Sequence, residues 1–200
     1  MLFRSVSPER RANPSLSVVL PMHNEERGLD RLFARLLPVL RGLGLSFEIV
    51  AVDDGSRDGT LAGLKDARAA IPELKIVALS RNFGKEIGVT AGLGRTTGDV
   101  VVVMDSDLQH PPESIPALVD TLVAKRWDFL SACRFPLADK AAMGLTNQIG
   151  NMVLTVTAML LFFTPIKDSQ SGMWVFKRSL LEKMKVTSDG MPFKIGRAHV

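Results

Sequence analysis

Residues 100–110, VVVVMDSDLQH, contain the most strand-like run of the chain and a polar stretch directly behind it. The four valines and Met104 form a continuous apolar run, without the alternation expected of a strand that has one wet face. Such a run is typical of a strand buried on both faces, as in a parallel sheet. Turn residues 97–99 precede the run, and Asp105 and Asp107 follow it. This stretch therefore predicts a buried parallel strand that ends in carboxylates.

The same pattern recurs on both sides of this strand, with helical segments in between. Further apolar runs predict strands at residues 16–20, 47–52, 74–79 and 128–133. Helical spacing of apolar residues predicts helices at residues 25–37, 58–70, 86–93 and 112–124. We expect Pro38, with Gly42 and Gly44, to close the first helix. The alternation predicts an α/β fold with a mainly parallel sheet, helices on both faces and right-handed crossovers.

The pattern changes after residue 134. Residues 141–163 predict one long helical stretch, and its second half, 152–163, is apolar except for Thr155 and Thr157. At about 1.5 Å per residue this half is too short to cross a bilayer of roughly 30 Å. It is either a core helix or an interfacial helix that lies on a membrane. Residues 173–176 predict a further strand, whose pairing the sequence leaves open.

Composition restricts the class of protein. The 200 residues are 46% hydrophobic and 23% charged, which is typical of one globular domain. The single cysteine, Cys133, excludes a disulfide framework, and we expect it to serve in packing. The net charge of +4 suits an anionic partner such as a nucleotide or an anionic membrane surface, and it disfavours nucleic acid. No apolar run is long enough for a transmembrane helix.

The two ends of the chain differ from the rest. We interpret residues 1–14 as a disordered lead-in, because basic residues there are not followed by the apolar run of a signal peptide. The last seven residues, KIGRAHV, resemble the translation of a sequencing adapter, and we interpret residues 194–200 as a non-native tail. The domain is then expected to span residues 15–193.

Polar and charged residues follow each of the five predicted strands. Because ligands bind at the carboxyl ends of strands in an open parallel sheet, we expect these residues to converge on one site. Asp105 and Asp107 can both turn toward one hard cation, and Gln109 can add a neutral oxygen, which predicts a Mg²⁺ or Mn²⁺ site. The chain has neither a G-x-G-x-x-G motif nor a P-loop, so phosphates would be met by the metal and by Lys85 or Arg134.

Four ordered motifs carry a resemblance to a known family. They are LSVVLPMHNEE (16–26), EIVAVDDGSRDGT (48–60), SRNFGKEIGVTAGL (80–93) and GDVVVVMDSDLQHPPE (98–113). Together they resemble glycosyltransferase family 2, which implies the Rossmann-like GT-A fold. The string DSDLQHPPE and the later segments 166–184 and 188–193 resemble the dolichol- or undecaprenyl-phosphate branch of that family. The resemblance covers residues 15–193, and it implies that the chain is truncated at its C-terminus.

The resemblance assigns roles to residues of this chain. It implies a nucleotide-sugar site made by Pro21, His23, Asn24, Glu25, Asp53, Asp54, Asn82, Lys85, Asp105, Ser106 and Arg134. It makes Asp107, Arg134 and Asp168 the candidate catalytic residues, with Asp105, Asp107 and Gln109 at the metal. Asp168, Gln170 and Ser171 belong to a stretch expected to close over the site. Lys177 and Arg178 are expected to face the acceptor.

Several of these residues have a purely structural alternative. Glu25 can simply favour a helix start, where its charge meets the helix dipole, and Asp53 can be a turn residue. His23 and His110 are interpreted as supporting or surface groups rather than catalysts. Asp168 and Ser171 can merely form a turn.

The implied reaction moves a sugar from a UDP- or GDP-linked donor to a polyprenyl phosphate, with inversion. A cation held by Asp105 and Asp107 would stabilise the departing diphosphate. A phosphate acceptor needs no general base, because its second pKa of about 6 leaves it mostly dianionic at neutral pH. We expect a peripheral protein at the cytoplasmic face of the membrane, in which donor and metal binding survive truncation better than turnover.

Three competing functions remain at this point. One is a family 2 enzyme that acts on a polysaccharide or another hydroxyl acceptor. Another is a nucleotide-sugar-binding fragment without turnover. The third is a metal-dependent phosphatase with Asp105 as nucleophile, which Leu108 and Gln109 disfavour because such loops carry small or hydroxyl residues there.

Overall fold

The structure is a computed structural model that describes residues 15–132 and 172–183. The predictions for Arg134, Asp168 and the helical stretch 141–163 lie outside the described residues. So do those for Cys133, Gln170, Ser171, the lead-in 1–14 and the tail 194–200. No helix in the described parts of the chain is long and apolar enough to cross a membrane.

The described strands form one mixed sheet in the order β3-β2-β1-β4-β6-β5. They are β1 Leu16–Met22, β2 Phe47–Asp53, β3 Leu74–Ala78, β4 Val100–Met104, β5 Phe129–Ser131 and β6 Met173–Lys177. Strands β1 to β4 are mutually parallel, whereas β6 runs antiparallel to both β4 and β5. Strand β6 is thus inserted between two strands that precede it in the chain. The predicted strand at 173–176 is confirmed, and its pairing is the one that the sequence had left open.

Helices cover both faces of this sheet, as predicted. They are α1 Leu29–Gly42, α2 Thr60–Ala70, α3 Lys85–Leu93, α4 Ile115–Ala124 and α5 Ser179–Lys183. Short 3-10 turns at Glu26–Gly28 and Pro112–Ser114 lead into α1 and α4. Helices α1, α2 and α4 pack on one face of the sheet, and α3 and α5 supply the apolar residues of the other. The α/β class with a mostly parallel sheet is confirmed.

Successive residues of β1 show how one strand serves both faces. Leu16, Val18 and Leu20 belong to the larger apolar cluster, while Val19 belongs to the smaller one. All four are fully buried. This explains why the run is apolar at almost every position, because side chains of a strand alternate between faces and both faces here are covered by helices.

The prediction that Pro38 closes the first helix is wrong. Helix α1 begins at Leu29 and continues through Pro38 to Gly42. A proline inside a helix removes one backbone hydrogen bond. Burial offsets that loss here, because Leu36 and Leu40, on either side of the proline, are fully buried in the core.

Candidate functional site

A cleft of about 250 Å³ opens at the carboxyl ends of β1, β2 and β4. Its lining comprises Pro21, Met22, His23, Glu25, Asp54, Asn82, Gly84, Lys85, Asp105, Ser106 and Asp107. The structure therefore brings together most of the residues that the sequence singled out. Asn24, Asp53 and Gln109 are not part of this lining.

His23 is held in one tautomer by two hydrogen bonds. Its Nδ1–H donates to the carbonyl oxygen of Asp54 at 2.8 Å, and its Nε2 accepts from the side-chain amide of Asn24 at 3.0 Å. In this arrangement Nδ1 is the donor of the ring and Nε2 is its acceptor. Asn24 also accepts from the backbone N–H of Arg57 at 2.9 Å. Asn24 thus orients His23, and both ends of its side-chain amide are used within the protein.

Asp54 ties the β2 end of the cleft to the loop after β3. Its buried carboxylate accepts the backbone N–H groups of Phe83 at 2.8 Å and Gly84 at 2.9 Å. Asp53 is buried as well, and its Oδ1 accepts the N–H of Ser56 at 3.2 Å. The interpretation of Asp53 as a turn residue therefore fits its geometry, while Asp54 shapes the wall of the cleft.

Glu25 faces the other carboxylates of the cleft. Partial burial raises the pKa of the Glu25 carboxyl, and the negative charge of Asp107 raises it further. A hydrogen bond with Ser106 offsets part of that rise. The half-buried Glu25 thus lies near other carboxylates, which is an environment that favours a cation.

Asp105 and Asp107 line the cleft in different environments. Asp105 is partly buried, and its Oδ1 forms an ion pair with Nζ of Lys85 at the start of α3. Asp107 is exposed, and its Oδ1 accepts the N–H of Gln109 at 3.0 Å, with Leu108 between them at a φ of 61°. The backbone of Gln109 therefore holds Asp107, although its side chain does not line the cleft.

The carboxylates of Asp105 and Asp107 fit a divalent cation whose remaining ligands are substrate and water oxygens. The described residues contain no group of three or more His, Cys, Asp or Glu side chains that could enclose a metal by themselves. Mg²⁺ is usually bound by one or two carboxylates together with phosphates and waters. Asp105 and Asp107 match that number, and the crowding of negative charge at Glu25 supports it.

The family model "Glycosyl transferase family 2" matches residues 17–185. The chain belongs to glycosyltransferase family 2. The resemblance inferred from the four motifs is therefore confirmed.

Individual family 2 relatives are similar over parts of the chain. An uncharacterized glycosyltransferase of Synechocystis sp. is 53% identical over 105 residues, which are 52% of this chain and 33% of that protein. The undecaprenyl-phosphate 4-deoxy-4-formamido-L-arabinose transferase of Pseudomonas paraeruginosa is 36% identical over 171 residues, which are 84% of this chain and 49% of that protein. The chain thus spans at most about half the length of these relatives.

Solved glycosyltransferases share the fold. Glucosyl-3-phosphoglycerate synthase from Mycobacterium tuberculosis in complex with UDP superposes with a TM-score of 0.65 and 25% identity, covering 94% of this chain and 65% of that one. Its complex with Mn²⁺, UDP and glucosyl-3-phosphoglycerate has a TM-score of 0.68, 23% identity and the same coverage. These similarities confirm the GT-A fold for this family 2 chain.

Two residues of this family 2 site were not assigned a binding role from the sequence. His110 is buried, and its Nε2 accepts the N–H of Gly172 at 3.3 Å. The carbonyl oxygen of Gly172 accepts the N–H of Asp105 at 3.2 Å. In the sequence, Gly172 stands directly before the apolar run 173–176, and its position gains meaning once β6 is known to pair with β4.

Lys177 and Arg178 were expected to face the acceptor, but the structure places them elsewhere. Lys177 pairs with Val100 at the start of β4, and the N–H of Arg178 donates to the carbonyl oxygen of Asp99. Because β6 is antiparallel, its last residues lie at the sheet edge opposite the cleft. There Lys177 forms an ion pair with Asp128 at 2.6 Å.

Proposed function

We propose that this family 2 chain transfers a sugar from a nucleoside diphosphate sugar to a polyprenyl phosphate, with inversion at the sugar. The observation that carries the proposal is the cleft itself, which combines Asp105, Asp107 and Lys85 at the carboxyl ends of the strands. The polyprenyl-phosphate acceptor is supported by the relative whose name gives undecaprenyl phosphate and which matches over 84% of this chain.

The nucleoside end of the donor would bind near β1 and β2. Pro21, the His23 ring and Asn82 line this part of the cleft. Asp54 contributes by fixing the loop that carries Asn82, since its own carboxylate is already engaged by two backbone N–H groups. Nothing in these contacts selects a base, so both UDP- and GDP-linked sugars are candidate donors.

The diphosphate end would lie against β4 and the start of α3. Asp105 and Asp107 would hold a Mg²⁺ or Mn²⁺ ion, which when bound supplies positive charge to the diphosphate as the sugar leaves. Lys85, at the start of α3, would supply a second positive charge. The Lys85 side chain is flexible, so its ammonium group can move from the Asp105 carboxylate to a phosphate oxygen.

A phosphate acceptor suits the described part of the cleft. His23 donates from Nδ1 and accepts at Nε2 within the protein, so it is not poised to take a proton from an acceptor. A phosphate monoester needs no such base at neutral pH. The chain's task is then to orient two anions and to compensate their charge. Arg134 and Asp168 remain predictions for this task.

A hydroxyl acceptor is the second candidate, and Glu25 is the observation that favours it. Glu25 lines the cleft, and burial raises the pKa of its carboxyl, so it could receive a proton from a hydroxyl group. Transfer to a soluble sugar that is lost in Glu25→Gln, with none to a short polyprenyl phosphate, would favour this function instead.

We place the protein at the cytoplasmic face of a membrane, in the synthesis of envelope glycans. A polyprenyl acceptor resides in the bilayer while a nucleotide sugar is water-soluble, so transfer has to occur where the two phases meet. The apolar residues 152–163 are the sequence feature that supports contact with a membrane.

Calorimetric titration tests the donor site first. UDP and GDP are titrated into the 200-residue chain with and without Mn²⁺, and the same is done with Asp107→Asn. Asp120→Asn, at an exposed position of α4, is the control of matched charge. We expect metal-dependent binding of one nucleotide that is lost in Asp107→Asn and kept in Asp120→Asn. A folded chain that binds neither nucleotide would contradict the proposal.

Transfer is tested with the nucleotide that binds. The corresponding radiolabelled nucleotide sugar is incubated with a short-chain polyprenyl phosphate, and the anomeric configuration of the product is read by NMR. We expect a lipid-linked sugar with the configuration opposite to that of the donor. A product with the donor's configuration would contradict the inverting mechanism.

A further inference from the structure

The Asp105 carboxylate lies against Gly172, the residue directly before β6, and the contact leaves no room for a side chain at position 172. A Cβ added to Gly172 would collide with Oδ2 of Asp105 and lie 2.6 Å from its Cγ. This contact is enough to exclude a side chain at position 172 unless the carboxylate moves. The other carboxylate oxygen, Oδ1, pairs with Lys85. The carboxylate is therefore confined between a cation and a backbone segment.

The backbone of Gly172 forms two hydrogen bonds, one with the backbone of Asp105 and one with the side chain of His110. Its carbonyl oxygen accepts the N–H of Asp105 at 3.2 Å, which continues the pairing of Met104 with Met173 by one step. Its N–H donates to Nε2 of the buried His110 at 3.3 Å. Strand pairing and one imidazole thus determine where the glycine meets the carboxylate.

We propose that Gly172 is a positioning residue for Asp105 and that His110 secures Gly172. A side chain at position 172 would turn the Asp105 carboxylate away from Lys85 and change the direction in which it faces the cleft. The consequence for catalysis rests on the proposed function, in which Asp105 meets the cation and the diphosphate. The positioning itself is a property of the folded chain and can be measured without a substrate.

A double-mutant cycle on thermal stability tests the contact. Overpacking by Gly172→Ala is expected to lower Tm by roughly 3–8 °C. In the Asp105→Ala background the colliding carboxylate is absent, so the same substitution should lower Tm by less than about 1 °C. Gly92→Ala is the control, because its Cβ would meet Val19 and Val52 in the core. It should lower Tm by the same amount in the unmodified chain and in the Asp105→Ala background. Gly42→Ala, with nothing within 4 Å, controls for the gain of a methyl group.

A spectroscopic signature separates positioning from general destabilisation. The ¹³C resonance of the Asp105 carboxyl group, assigned by its loss in Asp105→Ala, should shift in Gly172→Ala and stay in place in Gly92→Ala. His110→Gln keeps an acceptor near the position of Nε2, whereas His110→Leu removes it. We expect the resonance to shift in His110→Leu and to be restored in His110→Gln. This pair decides the proposal even if Gly172→Ala does not fold.

The outcomes are distinguishable from those of the proposed function. Equal losses of Tm in the two backgrounds, or an Asp105 resonance that ignores both Gly172→Ala and His110→Leu, would overturn the positioning role. If the unmodified chain binds a nucleotide with Mn²⁺, Gly172→Ala should weaken that binding about tenfold relative to Gly92→Ala. If the unmodified chain binds no nucleotide, the proposed function fails, while the cycle and the resonance still decide the role of Gly172.

Discussion

Lys85 places a positive charge in a cleft that is lined by several carboxylates. Its Nζ pairs with Asp105, while Asp107 and Glu25 line the same space. Glu25 responds to this crowding with a raised pKa, caused first by burial and next by Asp107. The charges of individual residues are those expected of a site for the metal-bound nucleotide of the proposed function.

Replacing Lys85 tests its role toward the diphosphate. Lys85→Met keeps the aliphatic stem but removes the charge, so the affinity for UDP or GDP in the presence of Mn²⁺ should fall about tenfold, the cost of one charge-assisted contact. The affinity for the nucleoside without phosphates should not change. Calorimetry on both ligands measures the difference, and Lys65→Met, at an exposed position of α2, is the control. An equal loss for nucleoside and nucleotide would contradict the assignment.

Replacing Asp54 tests how the wall of the cleft is held. In Asp54→Asn only one side-chain oxygen remains to accept from the N–H groups of Phe83 and Gly84. One of these groups then loses its partner, which should lower the free energy of unfolding by about 1–3 kcal/mol. Urea unfolding measures this loss, with the exposed Asp66→Asn as the matched substitution. A loss no greater than that of Asp66→Asn would show that the two hydrogen bonds contribute little.

Among the elements, β1 and β2 are linked at the edge opposite the cleft by a buried polar group. Glu48 of β2 accepts the hydroxyl of Ser17 at 2.6 Å and the N–H of Thr97 at 2.6 Å, and it pairs with Lys75 of β3. Burial alone raises the pKa of the Glu48 carboxyl, but these hydrogen bonds outweigh it and hold the pKa below its usual value. This network fixes the ends of three adjacent strands and leaves the cleft edge free for binding.

The Glu48 network predicts a dependence of stability on pH. Because the pKa of Glu48 is lower in the folded chain than in the unfolded one, its stabilisation is complete above the unfolded value of about 4.3 and is lost as the pH falls through the folded value. The difference in unfolding free energy between the unmodified chain and Glu48→Gln should therefore be larger at pH 6 than at pH 3. Urea titrations at both pH values measure it. Asp120→Asn, at an exposed position, is the control, and its effect on the unfolding free energy should change less between the two pH values. An effect of Glu48→Gln that is the same at pH 6 and pH 3 would contradict the role of the network.

At the scale of the whole molecule, β6 joins two parts of the sheet that would otherwise be separate. It pairs with β4 on one side and with β5 on the other, so β4 is an interior strand only because β6 covers its edge. The residues of β4 are buried on both faces. Without β6, this apolar strand would present unpaired backbone groups at an exposed edge.

Two truncated chains test this dependence. A chain of residues 1–171 lacks β6, and we expect it to lose cooperative thermal unfolding and to aggregate. A chain of residues 1–193 lacks only the last seven residues, which we expect to lie outside the domain, so its Tm should match that of the full chain. Circular dichroism and light scattering measure both. Cooperative unfolding of the shorter chain near the original Tm would contradict the role of β6.

The sequence by itself determined the parallel half of the fold and the place of the cleft. Apolar runs such as Val100–Met104 and the helical periodicity between them are local, and the carboxyl ends of parallel strands share one edge. Pro21, His23, Asp54 and Asp105 could therefore be assigned to one site before their contacts were known.

The tertiary structure alone decided which of these groups remain free to bind and what orients them. The carboxylate of Asp54 is occupied by the loop after β3, and that of Asp105 is placed by Gly172, far along the chain. Neither contact follows from a local pattern. Each depends on which strands become neighbours, and the antiparallel insertion of β6 is a choice of pairing and register that its short apolar run does not encode.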